Sequence, residues 1–422
     1  MLNYFVCNKK KNASTSLEIF FDFIVVATVS MIFNGFILNS HSAPPYQKVF
    51  MVFNTGLITT YWYSYSFFRQ RFEKNNIFFR ILTMVKVIAL GIIATGLDLM
   101  IFRLNVVADK DPEWIAKVSM IIWVSGFAFS RLISSFEYTL SLIANRKDET
   151  LIKLLVGKMI SRIIIVILNI VHLILLIRGH SIPVLTYVFL PLYLVIEFMG
   201  NIAFVTDANL KKAPKISIKY ASQRYKKLTY LYIGSLFISG TIQFAYYLHN
   251  SSDLYMIYRL VFIYFTGFLL WWFYSEYSHK LIIKTKARHL IKLAFLNIFI
   301  QGSLAVFGGA IINSHNSVNA HYIMIAAPTA LAIFLIGIHL YLSSLKRDDT
   351  VTILNFKKQA LFACISNVII LIAYAITSHF IKMPIWTVYI VVDFALIVST
   401  ALPYILTRKY CNELEECKPK EK

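Results

Sequence analysis

The sequence predicts an all-α, polytopic membrane helix bundle of about 12 transmembrane helices, and three observations predict it. Of its 422 residues, 58% are hydrophobic and only 15% are charged, against about 25% charged in a soluble domain. The apolar residues fall in continuous runs of the roughly 20 residues that a bilayer span requires, not in the alternation of barrel strands. Basic residues gather in every second connector, the pattern of cytoplasmic loops.

Taken in order, the spans are 17–38, 49–68, 79–102, 116–142, 154–177, 182–206, 228–248, 254–275, 289–313, 320–343, 358–378 and 383–406. Arg131 and Glu137 interrupt the fourth, and Lys158 and Arg162 stand inside the start of the fifth. Connectors as short as 178–181 and 249–253 make antiparallel hairpins. The chain therefore divides into a first six-helix half (1–206), a basic cytoplasmic connector (207–227), a second six-helix half (228–406) and a charged cytoplasmic tail (407–422).

Thirty Lys and Arg residues fall in the two tails and the even-numbered connectors or, for Arg80 and Lys358, at the span ends that border them, against five in the odd-numbered ones, which puts both termini in the cytoplasm. The formal net charge of +21 follows from the same bias. Nucleic acid is excluded as a partner because the basic residues do not form one patch. The expected partners are the lipid bilayer, with anionic inner-leaflet lipids against the basic loops, and a small solute or ion. The plasma membrane is the favoured location, and no cleaved leader is expected. On the reducing side Cys7, Cys411 and Cys417 are not expected to form disulfides. The Asn250-Ser251-Ser252 sequon lies outside in a very short loop, and Asn12-Ala13-Ser14 lies inside.

A shift of 210 residues lays the first three spans on spans seven to nine. Thr60-Tyr61-Trp62-Tyr63-Ser64-Tyr65 then faces Leu270-Trp271-Trp272-Phe273-Tyr274-Ser275. Two six-span halves repeated in this way are parallel, related by an axis along the membrane normal. Trp and Tyr also gather at the membrane interface for their own reasons, so interfacial anchoring accounts for the same match.

The chemistry-bearing residues are charges inside the spans of the first half: Glu18, Asp22, Lys86, Arg131, Glu137, Lys158, Arg162 and Glu197. A charge at the bilayer centre costs about 2.5–3.5 kcal/mol on insertion scales. Glu18 and Asp22 are four residues apart and share one helical face. Counting along the spans puts Asp22, Lys86, Glu137 and Lys158 near the cytoplasmic end and Arg131, Arg162 and Glu197 deeper. Charges at equal depth on different helices pair, so a charge-balanced cluster is expected, with Asp22 against Lys158, Arg162 or Arg131. The structural alternative is that Lys86 and Lys158 snorkel, Glu18 serves the first helical turn, and the remaining pairs lock packing. In the second half only Asp393 and Gln301 look well embedded.

The ten histidines show no metal-ligand spacing, and no nucleotide, phosphate or nucleophile motif is present. No cofactor and no enzymatic activity are expected.

Leu17-Glu18-Ile19-Phe20-Phe21-Asp22-Phe23-Ile24-Val25 resembles the opening of the bacterial low temperature requirement A family. Tyr61-Trp62-Tyr63-Ser64-Tyr65 followed by Arg71-Phe72-Glu73 and Arg80 is similar to that family's next motif. Arg224-Tyr225 with Gly234-Ser235, and Trp271-Trp272-Phe273-Tyr274, resemble its second-half motifs. Two positions depart from the pattern. A glutamate is missing beside Gly234, where Ser235 stands, and Ser275-Glu276 replaces an aspartate after the Tyr. The resemblance implies a divergent member of a multi-spanning membrane family named for growth at low temperature, and it supplies no substrate. The function expected is that of a secondary-transporter-like protein. An ion channel-like protein or a non-transporting membrane scaffold is the alternative.

Overall fold

The computed structural model describes residues 16–35, 45–72, 77–100, 112–206, 218–250, 255–279, 287–312, 320–343, 351–381 and 383–416. Cys7, Cys417, the Asn12 sequon, Ser251-Ser252 and most of the 207–227 connector lie outside them. Among the described residues the fold is all-helical, with twelve helices in the order of the twelve expected segments. They are α1 (Ser16–Gly35), α2 (Pro45–Phe72), α3 (Ile77–Asp98), α4 (Pro112–Ala144), α5 (Glu149–Ile177), α6 (Ile182–Thr206), α7 (Ile218–Asn250), α8 (Tyr255–His279), α9 (Ala287–Ile312), α10 (Ala320–Ser343), α11 (Val351–Phe380) and α12 (Trp386–Glu416).

Nine of these, among the described residues, are long and apolar enough to cross a membrane: α3–α6 and α8–α12. Of the three others, α1 is as apolar as the spans, whereas α2 and α7 carry more polar side chains, and where those side chains point governs the site. Helices suit a membrane because each satisfies its own backbone polar groups. Two compact units divide the chain. One contains Met1–Ser235 and Lys286–Ala294, and the other contains Leu236–Thr285 and Phe295–Lys422.

In the first unit α4 and α5 form a hairpin. Asp148 caps α5 by accepting the Leu151 N–H at 3.1 Å, satisfying one orphan donor of the first turn. The α5–α6 turn closes on Gly179, whose φ of 83° suits a residue without Cβ. Helices α3 and α4 approach very closely: a Cβ on Gly96 would lie 2.7 Å from the Trp123 backbone nitrogen, and one on Gly126 2.9 Å from that of Ile93. Helix α5 turns Ile163, Ile167, Ile170 and Ile174 outward, an apolar face that lipid can cover. Helix α2 is the opposite, for every residue from Asn54 to Arg69 is buried. It is the core of this unit.

In the second unit neutral polar groups make the joints. Asn367 donates to Ser399 Oγ at 2.7 Å and to the Ala395 carbonyl at 3.1 Å. Tyr277 donates to the Ser399 carbonyl at 3.0 Å. The buried acid Asp393 accepts from Thr266 at 2.7 Å. The joints named here are hydrogen bonds and not ion pairs.

Candidate functional site

The site grows from the run Thr60–Ser66 of α2. Consecutive helical residues step by about 100°, so seven of them cover the whole circumference. Here they are hydroxyl, phenol and indole groups, all buried. A helix with polar handles on every side can sit in a membrane only if neighbouring helices answer those handles. They answer with charges at three places.

The first joins α1, α2 and α7. Arg224 makes a two-pronged pair with Asp22, Nη1 to Oδ2 at 2.8 Å and Nη2 to Oδ1 at 2.9 Å. This fork geometry is the strongest an arginine offers a carboxylate. Trp62 adds its indole N–H to Asp22 Oδ1 at 2.8 Å, and Ser66 Oγ accepts from Arg224 Nη2 at 3.0 Å. The guanidinium also lies over the Trp62 ring, 4.6 Å from its centroid. Each charge starts the seventh position of its helix, so both lie about 9 Å from a helix start. The helices thus meet with charges at matched height. Helices α2 and α7 are the most polar of the twelve, and here they turn polar side chains toward the acid of the apolar α1. Nearby, Tyr232 of α7 bonds Thr59 at 3.0 Å, and Ser235 donates to the Val26 carbonyl of α1 at 3.2 Å.

The second place is a Lys86–Glu137 ion pair between α3 and α4, both side chains buried. Tyr65 and Phe68 of α2 present their rings to the ammonium at 5.2 and 5.8 Å.

The third is formed by the three residues that counting placed deepest. Glu197 of α6 receives Arg131 of α4, Nε to Oε1 at 2.6 Å, and Arg162 of α5 through Nη1 on the same oxygen. Arg162 Nη2 donates to Ser64 of α2 at 2.6 Å. Arg131 lies 4.4 Å from the Tyr61 centroid and 4.5 Å from that of Phe127. Lys158, one turn before Arg162, donates to Asn201 Oδ1, and Asn201 donates on to the Thr60 carbonyl at 3.1 Å.

All eight charges singled out in the sequence are therefore buried in one unit. Several sequence expectations need correction. Asp22 takes Arg224 as its partner, not Lys158, Arg162 or Arg131. Lys86 and Lys158 do not snorkel; they are 1% and 2% exposed. Glu18 is in the first turn of α1, yet it is fully buried. The Tyr61–Tyr65 aromatics are core residues and not interfacial anchors. Arg224 escaped notice because it fell in a basic stretch read as a loop, whereas α7 begins at Ile218 and carries it into the interior. Its neighbour Tyr225 is the available signal, a motif-bearing Arg-Tyr pair in a lysine-rich stretch.

The model of the bacterial low temperature requirement A protein family matches residues 13–394, which takes in all three charged places. No curated protein and no solved structure matches the chain. With nine apolar helices and a family match over most of its length, the chain is a multi-pass integral membrane protein and belongs to the low temperature requirement A family.

Proposed function

We propose that the protein is a secondary-transporter-like carrier whose polar site is the charged cluster around α2. One observation carries this reading: charges from five helices converge on the hydroxyl and aromatic side chains of a helix that is buried all round. Glue between helices can be supplied by separate pairs or by a closed network. A polar pathway needs contiguous polar groups on one central element, which is the arrangement of Thr60–Ser66. In this reading all twelve helices cross the membrane, α1, α2 and α7 with their polar groups inward, and both termini are cytoplasmic by the positive-inside bias. The basic loops face anionic inner-leaflet lipid.

A non-transporting scaffold is the second reading, and the complete Asp22–Arg224 fork favours it, since a fully satisfied pair is well suited to locking packing. Flux separates the two. Purified protein in liposomes, with Glu18→Gln and Asp22→Asn beside it, is expected to give saturable exchange that the variants lose. Unitary currents instead would make it a channel. An absence of flux across ions and metabolites, with normal folding, would leave the scaffold.

A further inference from the structure

We infer that Arg131 and Arg162 form a binding site for a small anion, a carboxylate or an oxyanion such as phosphate or nitrate. This names a substrate class for the carrier proposed above and rests on that reading for translocation only.

The argument begins with charge. Two other buried ion pairs of the first unit, Lys86–Glu137 and Arg224–Asp22, match one cation with one carboxylate. Here two guanidiniums share a single carboxylate, and both reach it through the same oxygen, Glu197 Oε1. Arginine does not deprotonate in proteins, so the group cannot shed its excess of positive charge. All three side chains are 0% exposed, and a buried uncompensated charge is strongly unfavourable.

Hydrogen bonding adds to this: although Glu197 Oε2 is an unpartnered acceptor in the same cluster among the described residues, the unmet donors outnumber it. Arg131 Nη1 and Nη2, Arg162 Nε and the Tyr61 hydroxyl have no hydrogen-bond partner among the described residues. These are donors, and three of the four atoms are cationic. The Tyr61 and Phe127 rings pack against the Arg131 guanidinium, which leaves its in-plane N–H groups as the means of recognition. A planar, multi-oxygen anion satisfies such a fork with two parallel bonds. A cation would be repelled, and a neutral solute would leave the charge excess standing. The anion would compete with Glu197 for both arginines, so the carboxylate acts as the internal stand-in when the ligand is absent.

The test uses full-length protein in detergent at constant ionic strength. Potassium phosphate, nitrate and succinate are titrated against a gluconate reference, with thermal unfolding and calorimetry as readouts. At least one of them is expected to bind saturably and raise the Tm. Glu197→Gln removes the internal competitor and is expected to tighten that binding by roughly tenfold or more. Tyr61→Phe keeps the ring and removes one donor, and should weaken it by roughly threefold to tenfold; Arg131→Gln should abolish it. If Arg131→Gln does not fold, the opposite responses of the other two variants still decide the matter. No anion response in either the wild type or Glu197→Gln overturns the site. Saturable liposome flux of a cation or neutral solute without an anion response also overturns it and leaves the carrier reading intact. Anion binding with no flux of any solute supports the site and removes the carrier reading.

Discussion

Two aromatic segments that align under a 210-residue shift, Thr60–Tyr65 of α2 and Leu270–Ser275 of α8, have opposite fates. Trp62 is completely buried, while Trp271 and Trp272 are 45% and 37% exposed. Both segments are rich in Trp and Tyr, so aromatic content does not decide burial. The difference lies in what the surrounding helices bring. Around α2 stand Asp22, Lys86, Arg131, Arg162 and Arg224, and an indole or hydroxyl there gains a charged partner or ring contact. In the second unit the joints described are hydrogen bonds without a cation, and of its aromatic segment α8 keeps Leu270, Phe273 and Tyr274 inside. In a membrane the apolar interior gives little preference for one apolar face over another. Polar complementarity then selects which side of an aromatic helix faces protein.

Breaking the charged side of that comparison is expected to have the largest effect. Arg224→Gln leaves Asp22 buried without its cation and should destabilise the first unit by about 3–5 kcal/mol, read as folded yield and Tm in detergent. The exchange Asp22→Arg with Arg224→Asp should recover part of that yield. Rescue of yield without rescue of flux would assign Asp22 a role beyond packing. Glu137→Gln strands Lys86 in the same way, with a loss of about 3 kcal/mol, whereas Lys86→Met with Glu137→Met should lie close to the wild type. If the double variant were as unstable as the single one, the pair would owe its place to something other than charge compensation.

Steric change comes next. Gly96→Ala drives a methyl into the Trp123 backbone, and about 1–3 kcal/mol is expected from the overpacking. The neutral unit supplies the contrast: Asp393→Asn keeps an oxygen for Thr266 and should cost under about 1 kcal/mol. A loss as large as that of Arg224→Gln would end the distinction between the units. Smallest of all, Glu149→Ala breaks an exposed i,i+4 pair with Lys153 and should leave the Tm unchanged.

Much of the architecture was legible from the chain. Twelve apolar segments became twelve helices because a run of 20 apolar residues, with internal backbone hydrogen bonds, has few other solutions. Counting along the spans groups Arg131, Arg162 and Glu197 as the deeper charges, and these three meet. Azimuth was not legible. Rise fixes a residue's height, whereas its direction around the helix axis depends on which neighbours pack against it. The Asp22 partner shows the consequence. Lys158 and Arg162 had suitable height, but Arg224 had suitable height and direction.

The sequence by itself determined the class of molecule, the helix order and the charges that the apolar segments carry. Those follow from local quantities: hydropathy, length and rise per residue. Only the tertiary structure decided that α2 is central, that Trp62 and Arg224 belong to the Asp22 site, and that two arginines divide one glutamate. Each of these depends on contacts between segments distant in the chain, 202 residues apart for Asp22 and Arg224. Helix packing brings such residues together, and no local pattern in the chain encodes it.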